Sequence, residues 1–153
     1  MEKVDFSDEL QLVAFSLAGE EYAVDIHYVQ EINRLLNITR VPKAPYYVEG
    51  VINLRGNVVP VIDLRKRFSL PPRETTDRTR IIIIKVKDIT VGIIVDGVSE
   101  VIRIQSSAVE PPPGLYGSVD LDYIRGVGKM DDRLLILINI EKVIDLEALA
   151  EEE

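Results

Sequence analysis

The sequence predicts a mainly β chain built as two small barrels, each closed by a short helix. Three observations lead there. Apolar residues fall in short alternating runs bounded by turn residues, the pattern of strands rather than of long helices. The stretch Gly50-Val51-Ile52-Asn53-Leu54-Arg55-Gly56-Asn57-Val58-Val59-Pro60-Val61-Ile62-Asp63-Leu64 reads as a hairpin followed by a helix start. That unit then returns: Tyr47-Val48-Glu49-Gly50-Val51 is echoed by Tyr123-Ile124-Arg125-Gly126-Val127, and Val59 to Leu64 falls without a gap on Leu135 to Ile140. An upstream pair repeats at a shift of 69, with Phe15 to Glu31 over Ile84 to Glu100. The chain is read as a duplicated β unit.

Taken in order, Leu10 to Leu17 alternates as a strand, and Ala18-Gly19-Glu20 turns it into Glu21 to Ile26. Asp25 to Ile32 reads as a helical turn or a strand. The spacing of Ile26, Val29 and Ile32 favours a short helical turn running into a strand. Arg40 to Tyr47, with Pro42 and Pro45, is irregular. In the hairpin, Gly56-Asn57 is the expected two-residue turn, since both residues tolerate positive φ, and Arg55 is expected at its lip as an exposed guanidinium. Asp63 caps the helix behind it, and Leu64 and Phe68 share one face. Ser69 to Thr79 carries Pro71-Pro72 and several charges and is the expected linker.

In the second unit, Ile81-Ile82-Ile83-Ile84 predicts a strand buried on both faces, the most central of the chain. Lys87-Asp88 turns it into Val91 to Val95, and Val98 to Ile104 follows as the next strand. Gln105 to Asp122, with Pro111-Pro112-Pro113-Gly114, is expected to be the longest structureless segment, and it offers no motif for a role. Tyr123 to Met130 and Arg133 to Ile138 form the last hairpin around Asp131-Asp132, and Asn139 caps a C-terminal helix of about 140–150. The division expected is one domain over 1–153, with one barrel over about 10–70 and a second over about 80–140. Because a unit of ~70 residues buries only ~60% of its unfolded surface, an apolar seam between the two is expected.

The totals narrow the function. The 153 residues hold no cysteine, which removes disulfides, zinc-thiolate sites and thiol catalysis and fits a cytoplasmic protein. No apolar run reaches the ~18 residues of a membrane span, and Met1 to Glu9 lacks the apolar core of a signal peptide. With 26 acidic and 18 basic residues the formal charge is −8, which argues against an anionic membrane surface and against sequence-independent nucleic-acid binding. A small barrel that binds nucleic acid would also need a basic, aromatic-rich strand face, and the chain has nine aromatic residues in all. Protein partners remain.

No catalytic constellation is visible. His27 is the sole histidine, without a second His or a Cys to share a metal. Gly126-Val127-Gly128 leads into a strand rather than a helix, so it is no dinucleotide loop. Asp131-Asp132 and Asp96-Gly97 are turn signals. No enzyme activity, cofactor or metal is expected.

These residues resemble the CheW family, the coupling proteins of bacterial chemotaxis. The resemblance covers roughly Leu10 to Asp145. It rests on Glu21-Tyr22-Ala23-Val24-Asp25-Ile26 with Val29-Gln30-Glu31-Ile32, on the Gly50 to Gly56 and Val59 to Leu64 runs, on Val91 to Val98, and on Arg133 to Ile140, in this order and spacing. It implies two SH3-like five-stranded β-barrels packed on each other, and a non-enzymatic adaptor joining chemoreceptor cytoplasmic tips to the regulatory domain of the histidine kinase CheA. That kinase domain shares the fold, so barrel-to-barrel contacts are implied too. The receptor's helical hairpin would dock between the barrels, where Ile26, Val29 and Val98 match the groove, with Glu31 and Arg55 as polar contacts nearby. A cytoplasmic protein recruited to receptor arrays follows. The length leaves no room for a receiver domain, so a free-standing domain is expected.

Overall fold

The computed structural model describes residues 9–112 and 121–144. Eleven strands and two single-turn helices account for its regular structure: β1 (Glu9–Leu17), β2 (Glu20–Asp25), β3 (Val29–Arg34), β4 (Val48–Leu54), β5 (Asn57–Asp63), α1 (Leu64–Arg67), β6 (Arg80–Val86), β7 (Ile89–Val95), β8 (Gly97–Gln105), β9 (Val109–Glu110), β10 (Ile124–Met130), β11 (Arg133–Ile138) and α2 (Ile140–Val143). The mainly β class with short helices is as the sequence predicts. A 3-10 turn over Ile26–Tyr28 runs straight into β3, so the ambiguous stretch is a helical turn followed by a strand.

The strands form two sheets, ordered β8-β1-β2-β11-β10-β9 and β3-β6-β7-β5-β4. The sheets do not follow the contiguous division into 10–70 and 80–140. One sheet takes β3, β4 and β5 of the first repeat and the other β8 to β11 of the second. Each inserts the first hairpin of the other repeat: β6-β7 lies between β3 and β5, and β1-β2 lies between β8 and β11. The duplication is real and its first hairpins are exchanged. Each inserted hairpin is held on one side by antiparallel pairing, and on the other by a short parallel ladder, β7 with β5 and β2 with β11.

Both sheets curl until their edges meet. The segment from β8 through Ser106–Ala108 into β9 pairs with β1 at one end and with β10 at the other. In the other sheet β3 pairs with β6, and Thr39 just beyond it bridges β4 through Thr39 N to Val51 O and Val51 N to Thr39 O, each 2.8 Å. Gly50 makes room for this closure: a Cβ there would lie 2.1 Å from Thr39 O. The exposed edges are thereby shortened, which suits a chain so rich in β-branched residues.

Strand alternation then divides the core in three. Leu12, Ala14, Ala23, Ile102, Ile104, Leu135 and Leu137 fill one barrel, and Ile52, Leu54, Val59, Val61, Ile81 and Ile83 fill the other. The opposite faces of the same strands meet between the barrels, where Val13, Phe15, Leu17, Tyr22, Val24, Ile82, Ile84, Val91, Ile93 and Val95 join Leu64 and Phe68 from α1 and Ile140 and Val143 from α2. Ile81 to Ile84 are all fully buried because odd members face a barrel interior and even members face the seam.

Two local readings are corrected. The hairpin turn is Arg55-Gly56, not Gly56-Asn57: Leu54 pairs with Asn57, and φ is +51° at Arg55 and +89° at Gly56. Asn53 Oδ1 accepts from Gly56 N at 2.8 Å and fixes that choice of register. The segment 105–122 is not structureless, since it contains β9 and 3-10 turns at Ser106–Ala108 and Leu121–Tyr123. Residues 113–120, and the expected helix beyond Ile144, lie outside the described residues.

Candidate functional site

The chain crosses between sheets at two places related by the repeat, from β2 to β3 and from β7 to β8. Ile26 occupies the first crossing, in the 3-10 turn that Asp25 caps by accepting from His27 N at 2.9 Å. Val29 opens β3 opposite Ile84, and Val98 is the second residue of β8, opposite Phe15. Cross-strand neighbours share a sheet face, so both valines face the seam. All three residues are half-buried and pack against the inter-sheet core. The structure therefore brings Ile26, Val29 and Val98 to one apolar cluster and leaves part of each exposed.

The same face continues outward. Ile32 stands opposite Ile82 and Val101 opposite Val13, yet Ile32 is 40% and Val101 57% exposed because no further strand covers them. Ile32 and Val101 are repeat counterparts, as are Val29 and Val98. The two edge strands thus present matching apolar pairs along the rim of the seam. Ile32 and Val101 were not among the site residues expected from sequence, although the 69-residue alignment places one on the other.

Glu31 and Arg55 are brought together, and they bind each other. Arg55 donates through Nη1 to Glu31 Oε1 at 3.1 Å and through Nη2 to Oε2, while Asn33 Nδ2 donates to Oε1 at 2.8 Å. The expected guanidinium is exposed but engaged, and the fork ties edge strand β3 to the β4-β5 turn across the barrel closure. The Arg55 fork, helped by Asn33, lowers the Glu31 carboxyl to about 2, so it is an anion at any physiological pH. The other barrel carries a related clamp. Glu100, the counterpart of Glu31, accepts from Arg133 Nη1 at 2.6 Å, and Arg133 also forks onto Glu21 at 3.0 and 2.6 Å.

The β7-β8 crossing holds a third fork. Arg65 donates through Nε and Nη2 to Asp96 at 2.9 and 2.7 Å, and Ala18 N donates to the same carboxylate at 2.9 Å. Burial pushes the Asp96 carboxyl up, but the Arg65 and Ala18 hydrogen bonds outweigh it and hold the group below its ordinary value. The sequence showed Asp96 only as a turn residue. Its arginine lies 31 positions away, beyond the reach of a local pattern. His27 is exposed, with Nδ1 2.7 Å from Asp25 Oδ1, and it faces no nucleophile or second ligand. No cluster of metal-ligating side chains occurs among the described residues. The surface offers apolar rims flanked by fixed charge pairs, which suits docking of a macromolecule.

The family model described as a CheW-like domain matches residues 11–148. The chain is 45% identical over 139 residues to the chemotaxis protein CheW of Bacillus subtilis (strain 168), covering 90% of this chain and 88% of that protein. It is 37% identical over 140 residues to the chemotaxis protein CheW of Klebsiella aerogenes, covering 92% and 84%. Its structure is similar to the crystal structure of the scaffolding protein TtCheW from Thermoanaerobacter tengcongensis, with a TM-score of 0.84 and 40% identity over 91% of this chain and 94% of that one.

Proposed function

This chain belongs to the CheW-like family, and from that premise we propose that it is a non-enzymatic adaptor joining chemoreceptor tips to the regulatory domain of the histidine kinase CheA. The observation that carries the receptor half of this reading is the rim of the seam. There Ile26, Val29 and Val98 emerge half-buried from the inter-sheet core, with the Glu31–Arg55 pair on the other face of β3. A groove with apolar walls fits the apolar face of an amphipathic helical hairpin laid along it.

The kinase half rests on a different surface. Val58 and Leu134 are repeat counterparts, 73% and 60% exposed, near the turn ends of β5 and β11. Each barrel thus presents one exposed apolar residue at the same place, which suits pseudo-symmetric docking by a domain of the same fold. The two partners would then occupy separate faces. Among the described residues no helix is long and apolar enough to cross a membrane, and recruitment to receptor arrays would follow from receptor binding.

Titration of two variants against the two partners tests this reading. Val98→Asp should weaken binding of a receptor signalling fragment and spare the kinase regulatory domain. Val58→Asp combined with Leu134→Asp should do the reverse. Binding of neither partner by the wild-type chain would contradict it.

A further inference from the structure

Ser16, Arg78, Arg80, Gly97, Val98 and Ser99 line a cleft of about 380 Å³ at the β7-β8 crossing. Val98 is its one apolar member and also a rim residue of the seam, so the cleft opens beside the groove. Its walls are fixed. Ser99 Oγ donates to Ala14 O at 3.2 Å, and Gly97 packs its backbone against Ser16 and Arg78. Arg80 donates through Nη1 to Asp77 O and Thr79 O at 2.8 and 2.9 Å, which holds that guanidinium in place. Its Nε and Nη2 find no protein acceptor among the described residues.

The cleft is basic in a chain that is acidic overall. Acidic residues outnumber basic ones by 26 to 18. Arg55, Arg65, Arg73, Arg125 and Arg133 each meet a carboxylate. Arg78 and Arg80, like Arg34, Arg40, Arg67 and Arg103, meet none among the described residues, and what sets the cleft apart is that two such arginines line it with no Asp or Glu. The Ser16 and Ser99 hydroxyls donate to Gly97 O and Ala14 O, which leaves two arginines and one apolar wall as a site for an anion carried on a short apolar stem. A glutamate side chain has that form: methylenes for Val98 and a carboxylate for the guanidiniums.

We propose that this cleft is a carboxylate-binding site, in which Arg78 and Arg80 hold an acidic side chain of the helix docked on Ile26, Val29 and Val98. The proposal rests on the receptor-docking reading above. It adds a polar determinant that fixes the register of the docked helix, since an apolar groove alone tolerates sliding.

The test titrates wild type, Arg78→Glu, Arg80→Gln and Val98→Asp with a helical-hairpin signalling fragment of a chemoreceptor, at low and high salt. Melting curves accompany each variant; Arg78 is exposed, so Arg78→Glu should melt like wild type. Arg78→Glu is expected to bind about 10-fold more weakly at low salt, with the deficit shrinking as salt screens it. A Glu→Lys change on the fragment should restore its affinity. Wild-type affinity for both arginine variants, with Val98→Asp still defective, overturns the cleft proposal and leaves the adaptor reading standing. No binding by wild type removes both. Inorganic phosphate is the second probe: resonance shifts confined to the cleft, with fragment binding indifferent to Arg78 and Arg80, would assign a free-anion site and overturn the proposal.

Discussion

Tyr47 and Tyr123, repeat counterparts 76 residues apart, close on the same guanidinium. Arg67 lies 4.2 Å from the centroid of one ring and 4.9 Å from the other. It also donates through Nε to Val143 O at 2.7 Å and through Nη2 to Lys142 O at 3.4 Å, so an arginine of α1 caps the C-terminus of α2. The backbones of the two tyrosines are held alike, with Asp63 N donating to the Tyr47 main-chain carbonyl at 2.8 Å and Asn139 N to that of Tyr123 at 2.7 Å. One side chain therefore joins the two repeats where their helices meet.

Removing that side chain should be costly for a surface-proximal arginine. Arg67→Ala loses two cation–π contacts and a helix cap, about 2–3 kcal/mol in total. Arg67→Lys should recover less than half, because an ammonium lacks the planar fork. Urea unfolding measures this. A loss below ~0.5 kcal/mol for Arg67→Ala, the range of ordinary surface changes, would show that the rings pack equally well without it.

The exchanged hairpins make the two halves mutually dependent. Fragment 1–72 holds β3, β4 and β5 without the β6-β7 hairpin that separates β3 from β5, and fragment 73–153 lacks β1-β2 between β8 and β11. Neither fragment should melt cooperatively alone, whereas mixing them should restore the β signal in circular dichroism and one cooperative transition. A cooperative transition in either fragment by itself would contradict the dependence.

Asp63 and Asn139 cap equivalent helices with different chemistry. Asp63 Oδ1 accepts from Arg65 N at 2.9 Å and Lys66 N at 3.4 Å, and Asn139 Oδ1 accepts from Lys142 N at 3.4 Å. Burial pushes the Asp63 carboxyl up, and nearby Glu49 adds to the rise against the pull of the backbone donors. A neutral cap avoids that penalty. Asp63→Asn should keep stability within ~0.5 kcal/mol or raise it, and Asp63→Ala should cost about 1 kcal/mol. An equal loss for Asn and Ala in thermal melts would mean that the charge itself is required.

The Glu31–Arg55 pair has a defined pH window. A carboxyl depressed in the fold stabilises it above the ordinary value near 4.5, and that contribution fades as pH falls toward about 2. Carbon-detected NMR titration should therefore find the Glu31 midpoint near 2 in wild type and close to the ordinary value in Arg55→Ala. Unchanged midpoints in the two proteins would show that the fork does not persist in solution.

Much of this was legible in the sequence. The β-branched run Ile81 to Ile84, the caps Asp63 and Asn139, the helical turn before β3 and the seam residues Ile26, Val29 and Val98 all follow from periodicity, local capping chemistry or the family resemblance. The exchange of hairpins was not, because alternation identifies a strand and its faces but not its neighbours, and consecutive strands pair by default. The turn slipped by one residue for a similar reason. Gly56 tolerates either turn position, and only the Asn53 side chain on its N–H favours Arg55-Gly56. The forks Glu31–Arg55, Glu21–Arg133 and Arg65–Asp96 join residues 24 to 112 positions apart, and barrel closure, not local pattern, creates them.

The central claim is that one chain holds two partners at once. Sedimentation of the chain with a chemoreceptor signalling fragment and the kinase regulatory domain, both at saturating concentration, tests it most directly. The account predicts one complex containing all three components, with neither partner displacing the other. Competition between the two, so that only binary complexes form, would contradict it.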